Sequence, residues 1–347
     1  MTAKRRSLTL LGLAAASVVT LAGCAGTPAP AGDSTDATLT VVASTNVYGQ
    51  IAQEVGGDLV EVTAIVTSDS QDPHSFEPSA RDQLAVADAD LIIENGGGYD
   101  AYIDALIEAS GTEAPVLTAA EFSHDWPENE GHDDESTDAE PDATATEESD
   151  EHADEVGEDA HADEDEHEHE HVEGFNEHVW YDPHTIAYVA EAIAEELGEL
   201  SPADAATFTA NAEAFVAEVE DLEASLDELA SAHEGESVFI TEPVPVYLVA
   251  AAGLENVTPD AFSEAVEEGQ DVAPATLLES LGLLESGDVR VVITNSQTGG
   301  AETGQIVDAA EAAGIPVIAF SETLPEGQTY ISWMQANIEA LSAALDA

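Results

Sequence analysis

The sequence predicts an α/β protein of two parallel-sheet α/β lobes joined by one long rigid helix. Two series of short apolar, β-branched runs predict the sheets. Each series alternates with helix-like stretches, as parallel strands buried on both faces and linked by helical crossovers require. A single apolar stripe along the segment between the two series predicts the helix. Length agrees, because 347 residues with 44% hydrophobic content exceed one compact domain.

The first 24 residues read as a targeting segment. Lys4, Arg5 and Arg6 form a charged start, and Leu8 to Leu21 an apolar stretch. Leu21-Ala22-Gly23-Cys24 closes it and resembles a bacterial lipobox, in which the Cys thiol is lipidated and becomes the new N-terminus. Arg5-Arg6 ahead of Leu8 suits twin-arginine as well as general export. Cys24 is the only cysteine, so neither a disulfide nor a thiolate metal site is open to the chain. No other apolar run reaches membrane-spanning length, which predicts a soluble body.

Residues 25–37, rich in Ala, Thr, Pro, Gly and Asp, read as a flexible tether. The N-terminal lobe follows over 38–200, with strand-like runs at Leu39 to Ala43, Val60 to Val66 and Leu91 to Ile93. It carries an insertion, 123–174, that holds 24 acids and seven histidines without one Leu, Ile or Lys. Such a composition cannot bury enough apolar surface to fold, which predicts disorder. His161, His167, His169 and His171 in that setting suit weak, exchanging coordination of borderline metals.

The joining helix is expected over 201–235. Ser201-Pro202-Ala203-Asp204 supplies a cap, a first-turn proline and an acid at the positive helix end. Phe208, Ala212, Phe215, Val219, Leu222, Leu226 and Leu229 then recur at spacings of four and three, a stripe that suits a strut packed against both lobes. The C-terminal lobe, 236–347, has strand-like runs at Val238 to Thr241, Val289 to Thr294 and Val317 to Phe320.

Charge removes whole classes of function. The formal net charge is −69, and beyond residue 6 the only basic side chains are Arg81 and Arg290. Binding to a phosphate backbone is excluded, and with no lysine beyond the targeting segment there is no Walker-type loop.

Two histidine clusters carry the chemistry. Asp72-Pro73-His74-Ser75-Phe76-Glu77-Pro78 follows a strand through a polar turn, the usual ligand position of an open parallel sheet. Asn176-Glu177-His178-Val179-Trp180-Tyr181-Asp182-Pro183 sets a second His beside bulky rings where a helix begins. Together with Asn95-Gly96-Gly97-Gly98-Tyr99 and the acidic His-rich insertion, these segments resemble the cluster A-I metal-binding lipoproteins of ABC importers, the zinc and manganese solute-binding family.

That resemblance covers nearly all of the exported chain, and it implies a metal site in the interlobe cleft with two ligands from each lobe. Carried across, the ligands are His74, His178, Glu242 in Thr241-Glu242-Pro243, and Glu322, where the family commonly has Asp. His184 and His233 are left as helix-surface residues. Two neutral imidazoles and two carboxylates sum to zero with a divalent cation, which relieves the burial of each charge. The cargo expected is Zn2+, with Mn2+ the alternative: the His-rich insertion and intrinsic affinity favour zinc, and Glu at the third position favours manganese.

The resemblance further implies a monomer, held to the outer face of the cell membrane through lipidated Cys24, that delivers its ion to permease and ATPase subunits on separate chains. An enzyme is not expected, because four protein ligands leave no open position and no HExxH helix or nucleophile elbow occurs. A surface metal buffer or adhesin is the other reading, with the acidic insertion as the binding element.

Overall fold

The computed structural model describes residues 38–129, 172 and 174–347. Cys24, the tether 25–37 and His161, His167, His169 and His171 lie outside the described residues.

The N-terminal lobe is built from β1 (Leu39–Thr45), α1 (Asn46–Gly56), β2 (Val60–Val66), α2 (Ala80–Ala87), β3 (Leu91–Glu94), α3 (Ala101–Ser110), β4 (Val116–Thr118) and α4 (Pro183–Leu200). Its four strands are parallel in the order β2-β1-β3-β4. After the long helix α5 (Ala205–His233), the C-terminal lobe adds β5 (Ser237–Ile240), α6 (Val246–Ala251), β6 (Glu255–Asn256), α7 (Asp260–Glu267), α8 (Pro274–Ser286), β7 (Val289–Asn295), α9 (Ala301–Ala313), β8 (Val317–Phe320) and α10 (Tyr330–Leu345). This sheet is parallel too, in the order β6-β5-β7-β8. Each order reverses between its two central strands, and ligands of open α/β sheets gather at such switch points.

Both faces of each sheet are covered, as their near-continuous apolar runs require. Val42 and Ile92 turn outward onto α2 and α3, and Phe239 and Val292 onto α7, α8 and α9. Their neighbours Val41, Ala43, Leu91 and Ile93, with Val238, Ile240, Val291 and Ile293, turn inward to one shared core with α1, α4, α5, α6 and α10. All seven residues of the expected stripe on α5 are buried in it. No helix among the described residues is long and apolar enough to cross a membrane.

Three boundaries differ from the sequence expectation. The long helix starts at Ala205 instead of in the Ser201-Pro202 turn. Ser201 ends α4 by donating its N–H to the Leu197 carbonyl, and its hydroxyl holds Asp204 at 2.7 Å; the carbonyl of Asp204 then accepts the first helical N–H groups. Strands β4 and β6 are too short to have registered as apolar runs. Within the expected insertion, residues 123–129 form turns packed on the lobe: Ser123 is buried, and Trp126 meets the Phe175 ring edge-on at 5.1 Å. The Asn129 amide ties this turn down by donating to the Glu121 and Ser123 carbonyls.

Candidate metal centre

His74 sits on a single 3-10 turn, Pro73–Ser75, in the connection from β2 to α2. Asp72 builds that turn, accepting the His74 N–H at 3.0 Å and the Ser75 hydroxyl at 2.8 Å, while buried Pro73 supplies the helical first φ. The imidazole then stands edge-on to Tyr99 at 4.9 Å.

Tyr99 is placed by the loop after β3. Asp100 accepts the N–H groups of Asn95 and Gly96 at 2.7 and 2.9 Å, folding the loop back on itself. Gly96 and Gly97 have φ of 76° and 68°, and a Cβ on Gly96 would fall 2.3 Å from Thr118 Cγ2, so glycine is required on both counts. The Asn95 amide donates to the Glu177 carbonyl at 2.9 Å, fastening this loop to the segment that carries His178.

His178 is 1% exposed and lies within ring-contact distance of Tyr99 and Trp180, at 5.7 and 5.1 Å between centroids. Its tautomer follows from Asn176. That side chain donates Nδ2–H to the Pro243 carbonyl at 3.1 Å, which turns Oδ1 toward His178 Nδ1 at 2.7 Å. Oδ1 only accepts, so Nδ1 carries a proton and Nε2 is the nitrogen that would ligate a metal, the arrangement common to metal-binding imidazoles.

The C-terminal lobe faces these rings with acids. Glu242, just past β5, and Glu322, just past β8, are each 3% exposed. Asn295, the last residue of β7, joins them: its Oδ1 accepts the Gln297 N–H at 3.0 Å, so its amide nitrogen points at both carboxylates and donates to each, to Glu242 at 2.9 Å. Thr298 donates to the other oxygen of Glu242, and Tyr99 reaches across the cleft to Glu322 at 3.2 Å. Gln297 positions Glu322 by accepting the N–H groups of Glu322 and Thr323 at 2.7 and 2.9 Å.

Among the described residues no Lys or Arg pairs with these carboxylates. Burial, followed by Glu242 and Asp72, raises the Glu322 carboxyl to about 7, although Asn295 and Tyr99 pull it down. Burial likewise raises Glu242, against the hydrogen bonds from Thr298 and Asn295. A cation between the two lobes would relieve both.

Of the four residues carried over from the sequence, His74, His178 and Glu322 each offer a ligand atom within 4.8 Å of the others. Glu242 lies beside this trio, tied to Glu322 through Asn295. His184 is exposed and pairs with Glu223 at 3.4 Å. His233 is more enclosed than a surface residue, packed at the end of α5 against Glu236 at 3.4 Å.

Sequence reasoning missed Asn295 and Gln297, although an Asn ending the apolar run of β7 at a switch point was a readable signal. It also missed Glu267 on α7, whose carboxyl is pushed up to about 9 by burial and then by Glu177, Glu242 and Glu322. No local pattern sets Glu267 apart from the acids around it.

Comparison with known proteins places the fold. The family model described as the periplasmic component A of the zinc-uptake complex, ZnuA, matches residues 41–344. The manganese-binding lipoprotein MntA of Halalkalibacterium halodurans is 25% identical over 63% of this chain and 59% of its own length. The manganese ABC transporter substrate-binding lipoprotein ScaA of Streptococcus gordonii is 26% identical over 99% of both chains. Among solved structures, the periplasmic zinc-binding protein TroA of Treponema pallidum superposes with a TM-score of 0.65 at 18% identity, over 89% of this chain and 99% of its own. With its two parallel sheets, its long helix and a family match across almost the whole described fold, the chain belongs to the ZnuA family of metal-uptake components.

Proposed function

We propose that the protein is the extracytoplasmic substrate-binding component of an ABC importer, that its cargo is Zn2+, and that His74, His178, Glu242 and Glu322 hold the ion. As a member of a family of uptake components it is a binding protein and not an enzyme. The observation that carries the ligand reading is the convergence of partly buried His74 with buried His178 and Glu322, in a cleft where no Lys or Arg among the described residues pairs with the acids. Two imidazoles and two carboxylates neutralise a divalent ion, so loading replaces an unfavourable burial of like charge with a favourable one.

Asn176 and Asn295 have separate tasks in this reading. Asn176 fixes the His178 tautomer, and Asn295 holds Glu242 and Glu322 side by side. Lipidated Cys24 would keep the protein at the outer face of the membrane, beside permease and ATPase subunits on separate chains.

Manganese is the second reading, favoured by the carboxylate share of the site and by the named cargo of two relatives. Metal analysis of protein purified without added metal, followed by competition titration of zinc against manganese, separates the two. One tight zinc site per chain, lost in His178→Ala, supports the proposal. A tight manganese site that zinc cannot displace would transfer it to manganese. Several weak sites and no tight one would leave a metal buffer.

A further inference from the structure

Two more carboxylates reach the cleft, and the proposed ligand set uses neither. Glu177 precedes His178 and is 4% exposed. Glu267, the last residue of α7, comes from the opposite lobe with its side chain 16% exposed and its Oε1 3.8 Å from His178 Nε2. That oxygen is buried and accepts no hydrogen bond from the described residues. His74, Glu177 and Glu267 each offer a ligand atom within 4.8 Å of the others, a second trio that shares His74 with the first.

Charge counting leads to the same place. Glu177, Glu242, Glu267 and Glu322 bring four carboxylates to a cleft whose nearest cationic candidates are imidazoles. A divalent ion held by Glu242 and Glu322 cancels that pair alone. Glu177 and Glu267 are drawn together from different lobes, where either a proton on Glu267 or a cation between the two carboxyls relieves their burial.

We propose that His74, Glu177 and Glu267 form a second cation seat, in which an arriving divalent metal is held before it passes to His178, Glu242 and Glu322. This rests on the reading of the first seat given above. The order of the two follows from Glu267: among the ligands the seats do not share it alone is partly exposed, whereas Glu177, His178, Glu242 and Glu322 are almost fully buried, so an ion entering from solvent meets Glu267 first. Because His74 belongs to both trios, the ion exchanges its other ligands around one retained nitrogen and need not be rehydrated between seats. One imidazole with two carboxylates is the more oxygen-rich set, so the outer seat accepts Mn2+ more readily, relative to Zn2+, than the inner one.

Manganese is therefore the probe, with the unbound aqua ion counted by electron paramagnetic resonance on the full-length protein. His178→Ala removes an inner ligand and leaves the outer trio whole, so this variant should keep one manganese site. Adding Glu267→Gln, or separately Glu177→Gln, to His178→Ala should weaken that site by roughly tenfold or more. If both double variants bind manganese as His178→Ala does, there is no outer seat. Rapid mixing of zinc with Glu267→Gln alone reads the order of events: capture slowed by roughly threefold or more supports an entry seat, and an unchanged rate overturns it. The underlying reading fails separately, if His178→Ala keeps wild-type zinc affinity.

Discussion

The N-terminal sheet runs β2-β1-β3-β4 and the C-terminal sheet β6-β5-β7-β8, one strand order used twice, yet the four proposed ligands divide between them as imidazoles and carboxylates. From the first lobe come the imidazoles of His74 and His178, fixed by Asp72 and Asn176 and walled by Tyr99 and Trp180. From the second come the carboxylates of Glu242 and Glu322, fixed by Asn295, Thr298 and Gln297. The imidazole half is packed among the aromatic rings of Tyr99 and Trp180. The carboxylate half is charged, buried and short of counter-charge, so it gains most when an ion arrives.

Breaking the imidazole half should have the largest effect. His74→Ala and His178→Ala are each expected to lower zinc affinity by roughly tenfold or more, measured by competition with a chromophoric chelator. Wild-type affinity in either would remove that residue from the site. Within the acid half, Glu322→Gln should weaken binding more than Glu242→Gln, because Glu322 lies inside the trio and Glu242 beside it. The reverse order would mean that Glu242 leads the carboxylate side.

The next test separates the halves by pH. Glu322 is raised to about 7, Glu267 to about 9, and Glu242 is raised as well, all from an ordinary carboxyl value of 4.5. A carboxyl whose folded value is raised contributes stability that is fully present below its unfolded value and is lost as pH rises through the folded one. These groups should therefore weaken the metal-free protein progressively between about pH 5 and about pH 9. Zinc binding should strengthen as pH rises, because protons compete with the ion for the ligand atoms. The gap in melting temperature between zinc-loaded and chelator-treated protein should widen from pH 5 to pH 8; a constant gap would contradict the assignment of the acids.

A smaller effect is expected from Asn295→Ala, which leaves Glu242 and Glu322 without their shared donor. The metal-free protein should lose about 1–3 kcal/mol, with most of the loss restored by zinc. Equal losses with and without zinc would make Asn295 a packing residue only. The smallest belongs to His184→Ala, a histidine outside the cleft whose exposed pairing with Glu223 contributes at most about 0.5 kcal/mol. A change in zinc affinity there would extend the site beyond the cleft.

Much of this was legible in the sequence because it is local. The β-branched runs became strands, the stripe from Phe208 to Leu229 became the buried face of α5, and the Asp-Pro-His turn holds His74 through contacts between adjacent residues. What stayed hidden depends on pairs distant in the chain. Asn295 has meaning only beside Glu242 and Glu322, and Glu267 only beside Glu177 and His178, with the pairing set by how the two sheets face each other. In a chain so rich in acids, no single Glu announces itself. The Ser201-Pro202 turn misled for a related reason: it served the end of α4 as well as the approach to α5, and two neighbouring helices competed for one capping signal.

The inward faces of both sheets and the helices between them form one uninterrupted apolar body. Hydrogen bonds such as Asn46 to the Leu324 carbonyl at 2.8 Å and Tyr181 to the Ser321 carbonyl at 2.7 Å stitch its rim. A molecule assembled this way has two sheets but a single cooperative unit, because neither sheet can be stripped of its inner layer without exposing the other. Calorimetry should record one unfolding transition for residues 38–347, with calorimetric and van't Hoff enthalpies in agreement, and cleavage in the turn between α4 and α5 should yield fragments that are folded only while they stay together.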